Sequence, residues 1–324
     1  MDADLFLRPL GRTGLMISPI GLGCWQFSKR KTLAGKYWPD LTDADIYNIV
    51  SVALQEGLTW FDTAELYGSG ESEKSLSGAL RAIGKEPGEV FIATKWSPVM
   101  RFSSNIAVTI NDRLNALSPY PIDLYQIHQP IGLSSLEKEI EAMAGLYERR
   151  LIKSVGISNY SARQMERAWK VLNKRGIPLA SNQVRYNLLD RRIESNGILD
   201  LAKRLGITII AYSPLAQGLL TAKFYDDPQM LHNIGFRRFT RQFYPEQIKK
   251  SLPVIRVVKE LALIYNVTPS QIALNWLINH HGDSVVAIPG ATKVQHVIEN
   301  SGAMSFTLSD ADMSRLDKES SIFR

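Results

Sequence analysis

Cysteine is almost missing from this chain: Cys24 stands alone among 324 residues. One thiol excludes an internal disulfide and any cysteine-built metal cluster, and a reducing, cytoplasmic setting is the simplest home for it. No apolar run approaches the eighteen or so residues that a membrane span needs. The opening MDADLFLRPL sets acidic residues ahead of a short apolar stretch, so it does not read as a signal peptide. No low-complexity segment or Pro/Gly/Ser linker divides the chain, and residues 1–324 read as one domain. A strong charge imbalance is absent too: the net charge is +6 and the basic residues are dispersed. The densest group, GFRRFTRQF at 235–243, places arginines among aromatics. A single-strand nucleic-acid binder uses such a pattern. One short cluster suits a loop over an anionic small molecule better, so no nucleic-acid partner is expected.

What the chain does contain is a repeated unit. A short β-type run ends in polar residues and an amphipathic helical segment follows. The runs are PIGLGC (19–24), TWFD (59–62), VFIATK (90–95), DLYQIH (123–128), IKSVGIS (152–158), LASNQ (179–183), ITIIAYS (207–213) and VVAIPG (285–290). Between them lie helical patterns such as LEKEIEAMAGLYERR (136–150), with Leu136, Ile140, Met143 and Leu146 near one face. Strands alternating with helices give parallel βαβ units, and apolar strands suit a sheet covered by helices. Eight units predict a closed (β/α)8 TIM barrel. A doubly wound sheet would want GxGxxG after its first strand, where this chain reads GLGCWQF without the third glycine. The stretch around GRTG before strand one predicts a β-hairpin closing the barrel bottom. TLSDADMSRLDKES predicts a capped C-terminal surface helix.

In a barrel, residues past the C-terminal strand ends converge on one mouth. Asp62, Lys95 and His128 end strands two, three and four at equal spacings of 33 residues, and Tyr67 follows on the loop after strand two. A lysine after the apolar VFIAT needs a buried partner, and Asp62 is the neighbour. The set has a chemical logic. A phenol titrates near ~10. An ammonium about 4 Å away, at an effective dielectric of roughly 20, favours the phenolate by ~4 kcal/mol, or about 3 pKa units, and burial opposes part of this. Tyr67 would then donate a proton to a developing alkoxide, with His128 orienting the same oxygen. Each residue alone also has a structural reading. Lys95 and Asp62 would make a simple ion pair, and His128 a satisfied buried polar group. No HxH pair follows strand one, as in metal-dependent barrel hydrolases, and no metal is expected.

FDTAELYG, FIATKW and DLYQIHQP, in this order, resemble three motifs of the aldo-keto reductases. These are NAD(P)H-dependent carbonyl reductases on a (β/α)8 barrel, and the likeness runs from LGRTGLMISPIGLGCW to IPGATKVQHVIEN. The resemblance implies that Tyr67 is the proton donor, that Lys95 and Asp62 tune it, and that His128 orients the substrate carbonyl. It implies that Ser158, Asn159 and Gln183 hold a nicotinamide carboxamide and that Tyr212 lies under the ring. Ser213, Pro214, Leu215, Gln217 and Gly218 would follow the pyrophosphate. Ile288, Gly290, Ala291, Thr292 and Lys293 would surround the adenosine 2′-phosphate, and Glu299 and Asn300 the adenine. His296 stands where many members carry an arginine, so NADP(H) is expected and NAD(H) stays open. Trp25 lies on the cofactor side and, with Trp96, Tyr67 and His128, would wall the substrate pocket; both tryptophans also suit plain packing. Tyr37 and Trp38 are read as rim residues, and 224–240 as flanking the cofactor entrance. The substrate would be an aldehyde or ketone with apolar bulk. The family's potassium-channel β subunits share the layout and the tetrad, so the alternative is an NADP(H)-sensing regulatory subunit that binds a membrane channel or other protein. The short stretch before the barrel favours the enzyme. Oligomeric state is not legible.

Overall fold

The computed structural model describes residues 7–29, 39–235 and 240–324. Its centre is a ring of eight short parallel strands, each paired with the next in chain order. They are β3 (Leu22–Gly23), β4 (Trp60–Asp62), β5 (Phe91–Trp96), β6 (Leu124–Ile127), β7 (Val155–Ser158), β8 (Leu179–Arg185), β9 (Thr208–Tyr212) and β10 (Val285–Ala287). Parallel bridges from Ile20 to Ala287 and from Gly23 to Gly290 join the last strand to the first. The fold is the expected (β/α)8 barrel. The strands mostly begin later than the apolar runs suggest, at Val155 rather than 152 for example, because the first residues of each run still climb from the preceding helix.

Strand parity divides the apolar residues into two cores. Inside the ring, Trp60, Phe91, Ala93, Leu124, Ala180, Ile210 and Val286 meet Leu10 and Ile17. The last two come from the expected hairpin, β1 (Arg8–Pro9) paired antiparallel with β2 (Met16–Ile17). The hairpin therefore seals the lower end of the ring with apolar side chains. Arg8 fastens it there: the buried guanidinium donates to the carbonyls of Ile278 and Val285 and to Asn279 Oδ1. Outside the ring, Phe61, Ile92, Trp96, Tyr125, Ile127 and Ile209 face the helices.

The helices start where hydroxyl side chains cap them. Thr42 caps α1 (Asp43–Gln55), and Ser135 caps α4 (Leu136–Glu148). Ser309 caps a C-terminal helix at Asp310–Ser320, the predicted surface helix. On α4 the expected face holds: Ile140, Met143 and Leu146 are buried and Leu136 half-buried. No helix among the described residues is long and apolar enough to cross a membrane.

One charged residue of α4 breaks the amphipathic rule. Glu139 is buried, its Oε1 has no hydrogen-bond partner among the described residues, and a Cβ on Gly132 would collide with it. Burial pushes its carboxyl up to about 7. Burial also lifts Glu73, on the helix Glu71–Ile83, to about 7, although Arg113 and Thr94 pull it back. Both protons are held more tightly in the folded state than in the unfolded chain. The associated stability is therefore full below the ordinary carboxylate range and is lost as pH rises through about 7. Urea unfolding at pH 5 and pH 8 is expected to show the folded state losing on the order of 1–3 kcal/mol across that interval. Glu139→Gln should flatten part of the slope; an unchanged slope would contradict this account.

Candidate active site

Parity places the charged layer. On β4, Trp60 and Asp62 point into the ring and Phe61 points out; on β5, Phe91, Ala93 and Lys95 point in. Asp62 and Lys95 thus meet above the apolar floor, both fully buried. Lys95 Nζ donates to Asp62 Oδ1 at 2.5 Å and to the Thr63 carbonyl at 2.9 Å, and lies 3.4 Å from the Tyr67 hydroxyl. Asp62 Oδ2 accepts from Gln183 Nε2 at 2.8 Å and Gln126 Nε2 at 3.2 Å. Either charge alone would be costly in this interior; together, with the remaining lone pairs satisfied, they persist. Burial alone would lower the Lys95 pKa, but Asp62 and then Tyr67 outweigh it and hold it above the ordinary value. The sequence reading missed Gln126. Its signal was present, since it stands two residues before His128 on the same strand face.

Tyr67 is carried by a short turn. Its amide donates to the Ala64 carbonyl, and the Gly70 amide donates to the Glu65 carbonyl. Gly68 leaves the turn at φ +67, where a side chain would be strained and would run into the Ser28 carbonyl. Three groups hold the phenol ring. Trp25 stacks at 6.1 Å between centroids, His128 meets it edge-on at 5.7 Å, and Lys95 Nζ lies 5.0 Å from its centre. Here the structure corrects the electrostatic expectation. Burial raises the Tyr67 pKa, and the Lys95 charge only partly reverses the shift. The phenol keeps its proton at neutral pH.

His128 is neutral. Burial first and the Lys95 charge second push it down to about 3. Its Nδ1 is buried without a hydrogen-bond partner among the described residues. Asn159, at φ +63, ties three parts of the mouth together. Its Nδ2 donates to the His128 carbonyl at 3.2 Å and to Ser158 Oγ at 3.0 Å, and its Oδ1 accepts from the Tyr212 hydroxyl at 3.0 Å.

These residues sit in one cleft of about 560 Å³, an ordinary size for a small-molecule site. Tyr67 and His128 line it beside Trp25, Ser158, Asn159 and Gln183. It continues past Tyr212, Ser213, Pro214, Leu215, Gln217 and Gly218 to Ile288, Gly290, Thr292, His296, Glu299 and Asn300. Four expected residues do not line it: Lys95 lies fully buried beneath, and three others point elsewhere. Trp96 neighbours Lys95 on an edge-to-edge alternating strand, so parity sends it outward; it is fully buried among helices and donates to Asn105 Oδ1. Ala291 is buried beneath the wall, and Lys293 immediately precedes the helix at Val294–Ser301. Gln26, Leu66, Gln129, Arg185 and Lys223 also line the cleft, and Thr240 lines it at the end of the 224–240 segment expected at the cofactor entrance. Arg185 ends β8 on the face of Gln183, so parity marks it; Leu66 and Gln129 lie on loops and Gln26 and Lys223 in short helical turns, too short for periodicity to mark an inward-facing position. Tyr37, Trp38 and the arginines at 237 and 238 lie outside the described residues. A second groove of about 590 Å³ runs between two outer helices, lined by Lys74, Arg81, Asp112 and Arg113, and lacks the convergence of strand ends.

The cleft fits an extended dinucleotide. Its two ends carry buried polar atoms without partners among the described residues, His128 Nδ1 and Asn300 Nδ2. Between them the loop after β9 runs through left-handed backbone at Ser213 (φ +50), Ala216 (φ +49), Gln217 (φ +54) and Gly218 (φ +104). That curls the chain around a channel instead of across it. His296 is held neutral: burial lowers its pKa, opposed by Glu299 and assisted by Lys223 and Lys293. The Thr292 amide points at His296 Nδ1 at 3.3 Å.

The turn carrying Tyr67 has its own anchor. Buried Glu65 accepts from the Ser97 amide, Arg101 and Arg113, and Arg113 also reaches Glu73. Glu65→Ala should destabilise the fold by about 1–3 kcal/mol, because it leaves the buried Ser97 amide without its acceptor and Arg113 with Glu73 alone. Glu65→Gln should cost less, since an amide oxygen still accepts from Ser97. Denaturant midpoints check the order; equal effects of the two substitutions would refute it.

The sequence profile of the Aldo/keto reductase family matches residues 19–320. An uncharacterized oxidoreductase of Mycobacterium bovis is 35% identical over 312 residues, covering 95% of this chain and 91% of the relative. Among solved structures, a thermostable aldo-keto reductase in complex with the inhibitor epalrestat superposes with a TM-score of 0.78 at 30% identity, over 97% of this chain and 99% of the other. The glycerol dehydrogenase of Gluconobacter oxydans superposes with a TM-score of 0.82 at 27% identity, over 98% and 95%. A profile spanning almost the whole barrel, over a strand-end constellation of this geometry, shows that the chain belongs to the aldo-keto reductase family.

Proposed function

We propose that this protein reduces the carbonyl of an aldehyde or ketone with NADPH, and that Tyr67 is the proton donor. The observation that carries the reading is the convergence on one cleft of a protonated phenol and a neutral imidazole whose Nδ1 has no partner among the described residues, above a buried Lys95–Asp62 pair. When bound, NADPH supplies the hydride to the carbonyl carbon. Every remaining task falls to the chain. His128, neutral and edge-on to Tyr67, offers a ring N–H to the carbonyl oxygen and fixes where it lies. Tyr67 gives its proton to that oxygen as negative charge develops there. Lys95, 3.4 Å from the hydroxyl, stabilises the phenolate left behind. Asp62 keeps the ammonium charged and in place. Ser158, Asn159, Gln183 and Tyr212 are assigned to the nicotinamide end, and Thr292, His296, Glu299 and Asn300 to the adenosine end. We place the enzyme in the cytoplasm on its lone, buried Cys24.

Consumption of NADPH with a panel of aliphatic and aromatic aldehydes tests the reaction, run beside Tyr67→Phe. The phenylalanine keeps the ring and removes the proton, so kcat should fall on the order of 10²–10⁴-fold with NADPH affinity little changed. Full activity in Tyr67→Phe would reassign the acid. Tight NADPH binding without turnover of any aldehyde would favour the regulatory subunit. Because the phenol pKa is raised and His128 stays neutral, the reduction rate should be flat from pH 6 to 9. It should fall only at or above the ordinary phenol range near ~10. An inflection between pH 6 and 7 would mean that a charged imidazole takes part.

Cofactor preference rests on His296. A neutral imidazole stacks but offers no charge to a 2′-phosphate, leaving Lys223 and Lys293 as the nearby cations. His296→Arg should raise NADPH affinity relative to NADH by about tenfold or more, read by fluorescence titration. An unchanged ratio would place the phosphate elsewhere.

A further inference from the structure

At the catalytic end of the cleft stands a cation that the proposed chemistry does not use. Arg185 is the last residue of β8, partly buried, and lines the cleft on the face of Gln183, the side chain that bonds Asp62. One strand period, roughly 7 Å, separates the two residues, so Arg185 rises just above the Lys95–Asp62 layer. Its Nη1 lies 3.4 Å from Gln242 Oε1, a long hydrogen bond, and its Cζ lies 5.8 Å from the centre of the Tyr212 ring. Neither neighbour is charged. No carboxylate among the described residues forms an ion pair with it. The two carboxylates that line the cleft are engaged elsewhere: Asp62 holds Lys95, and Glu299 acts on His296 at the adenosine end.

Charge at this end of the cleft therefore does not balance. Lys95 and Asp62 cancel, Tyr67 keeps its proton and His128 is neutral, which leaves Arg185 as the net positive charge. A partly buried charge without a counter-charge is unfavourable, and such violations concentrate at functional sites. A guanidinium presents its N–H groups as a planar fork that matches the oxygens of a carboxylate or a phosphate. Strand order separates this fork from the cofactor's own phosphates. In the ring, β9 lies between β8 and β10. The residues assigned to adenosine follow β10, and the left-handed loop 213–218 follows β9. β8 lies on the other side of β9, next to β7 with Ser158, and its register pairs Arg185 with Tyr212 at the nicotinamide end.

We propose that Arg185 binds an anionic group of the carbonyl substrate, so that the preferred substrates are aldehydes and ketones that also carry a carboxylate or a phosphate. The proposal rests on the reductase reading above. The carbonyl oxygen meets Tyr67 and His128, and the anion takes the fork of Arg185 in place of its long bond to Gln242. Holding both ends of a small substrate fixes the carbonyl against the proton donor, where a misplacement of one ångström is costly.

The test is kcat/KM with NADPH, in the full chain, for two matched pairs: 4-oxobutanoate against butanal, and glyceraldehyde 3-phosphate against glyceraldehyde. In at least one pair the anionic member should be favoured by about ten- to a hundredfold. Arg185→Gln should lower that ratio at least tenfold. Arg185→Lys, which keeps the charge and loses the fork, should fall between the two. Added salt should shrink the parent's preference and leave that of the glutamine variant unchanged. An arginine with a merely structural role would change both members of a pair alike; a ratio that stays at the parent's value in Arg185→Gln would overturn the proposal. Equal turnover of charged and uncharged members by the parent would overturn it too and leave the reductase standing. A loss of NADPH affinity in Arg185→Gln, read by fluorescence titration, with the ratio unchanged would overturn it by assigning the fork to the cofactor's diphosphate. No turnover of any carbonyl would remove the reductase reading and this one with it.

Discussion

The buried ion pair of Lys95 and Asp62 is the constraint from which the rest of the site follows. Two charges sit inside a closed ring of strands, with no solvent to screen them. They are tolerated because parity turns both side chains into the ring, Lys95 two residues beyond Ala93, the register partner of Asp62, and because Gln126 and Gln183 satisfy the second carboxylate oxygen. Below them the interior is apolar and sealed by the hairpin; above them it opens. The pair is thus the boundary between a packed core and a working cleft. The ring needs its floor for stability and its upper layer for chemistry, the usual division between the two ends of such barrels.

The Tyr67 environment shows how two opposing effects are balanced. A lysine charge at 3.4 Å favours the phenolate, and burial favours the phenol. Burial wins, so the resting group is a proton donor and not a base. The lysine's contribution comes instead after proton transfer, when the phenolate must be stabilised. His128 follows the same logic: burial and the same lysine charge keep it neutral, which suits an orienting hydrogen bond better than a second acid. One buried cation therefore assigns different roles to two neighbouring titratable groups.

Around this centre the loops are fixed by backbone geometry more than by mass. Glu65 binds the Tyr67 turn to the next two elements through Ser97, Arg101 and Arg113. Arg101 in turn supports the loop on which Met100 and Phe102 are displayed. The proton donor and the loop after β5 thus share one carboxylate anchor, which couples their positions.

Much of this was legible in the chain itself. Short, continuously apolar runs alternating with amphipathic helices give eight units, and eight units close a barrel. Equal spacing puts Asp62, Lys95 and His128 at successive strand ends, and FDTAELYG places Tyr67 beside them. These are local patterns, and local patterns survive folding when parity and propensity agree. Trp96 shows the limit: next to Lys95 in sequence, it belongs to the opposite face, because consecutive strand residues cannot share one. Gln126 was hidden only by its chemistry, an uncharged residue among louder neighbours. The cleft lining from Gln26 and Lys223, the neutral state of His128 and the outcome at Tyr67 had no sequence signal. They depend on which loops meet and how deeply each group is buried, and burial is a property of the assembled ring, not of any stretch that forms it.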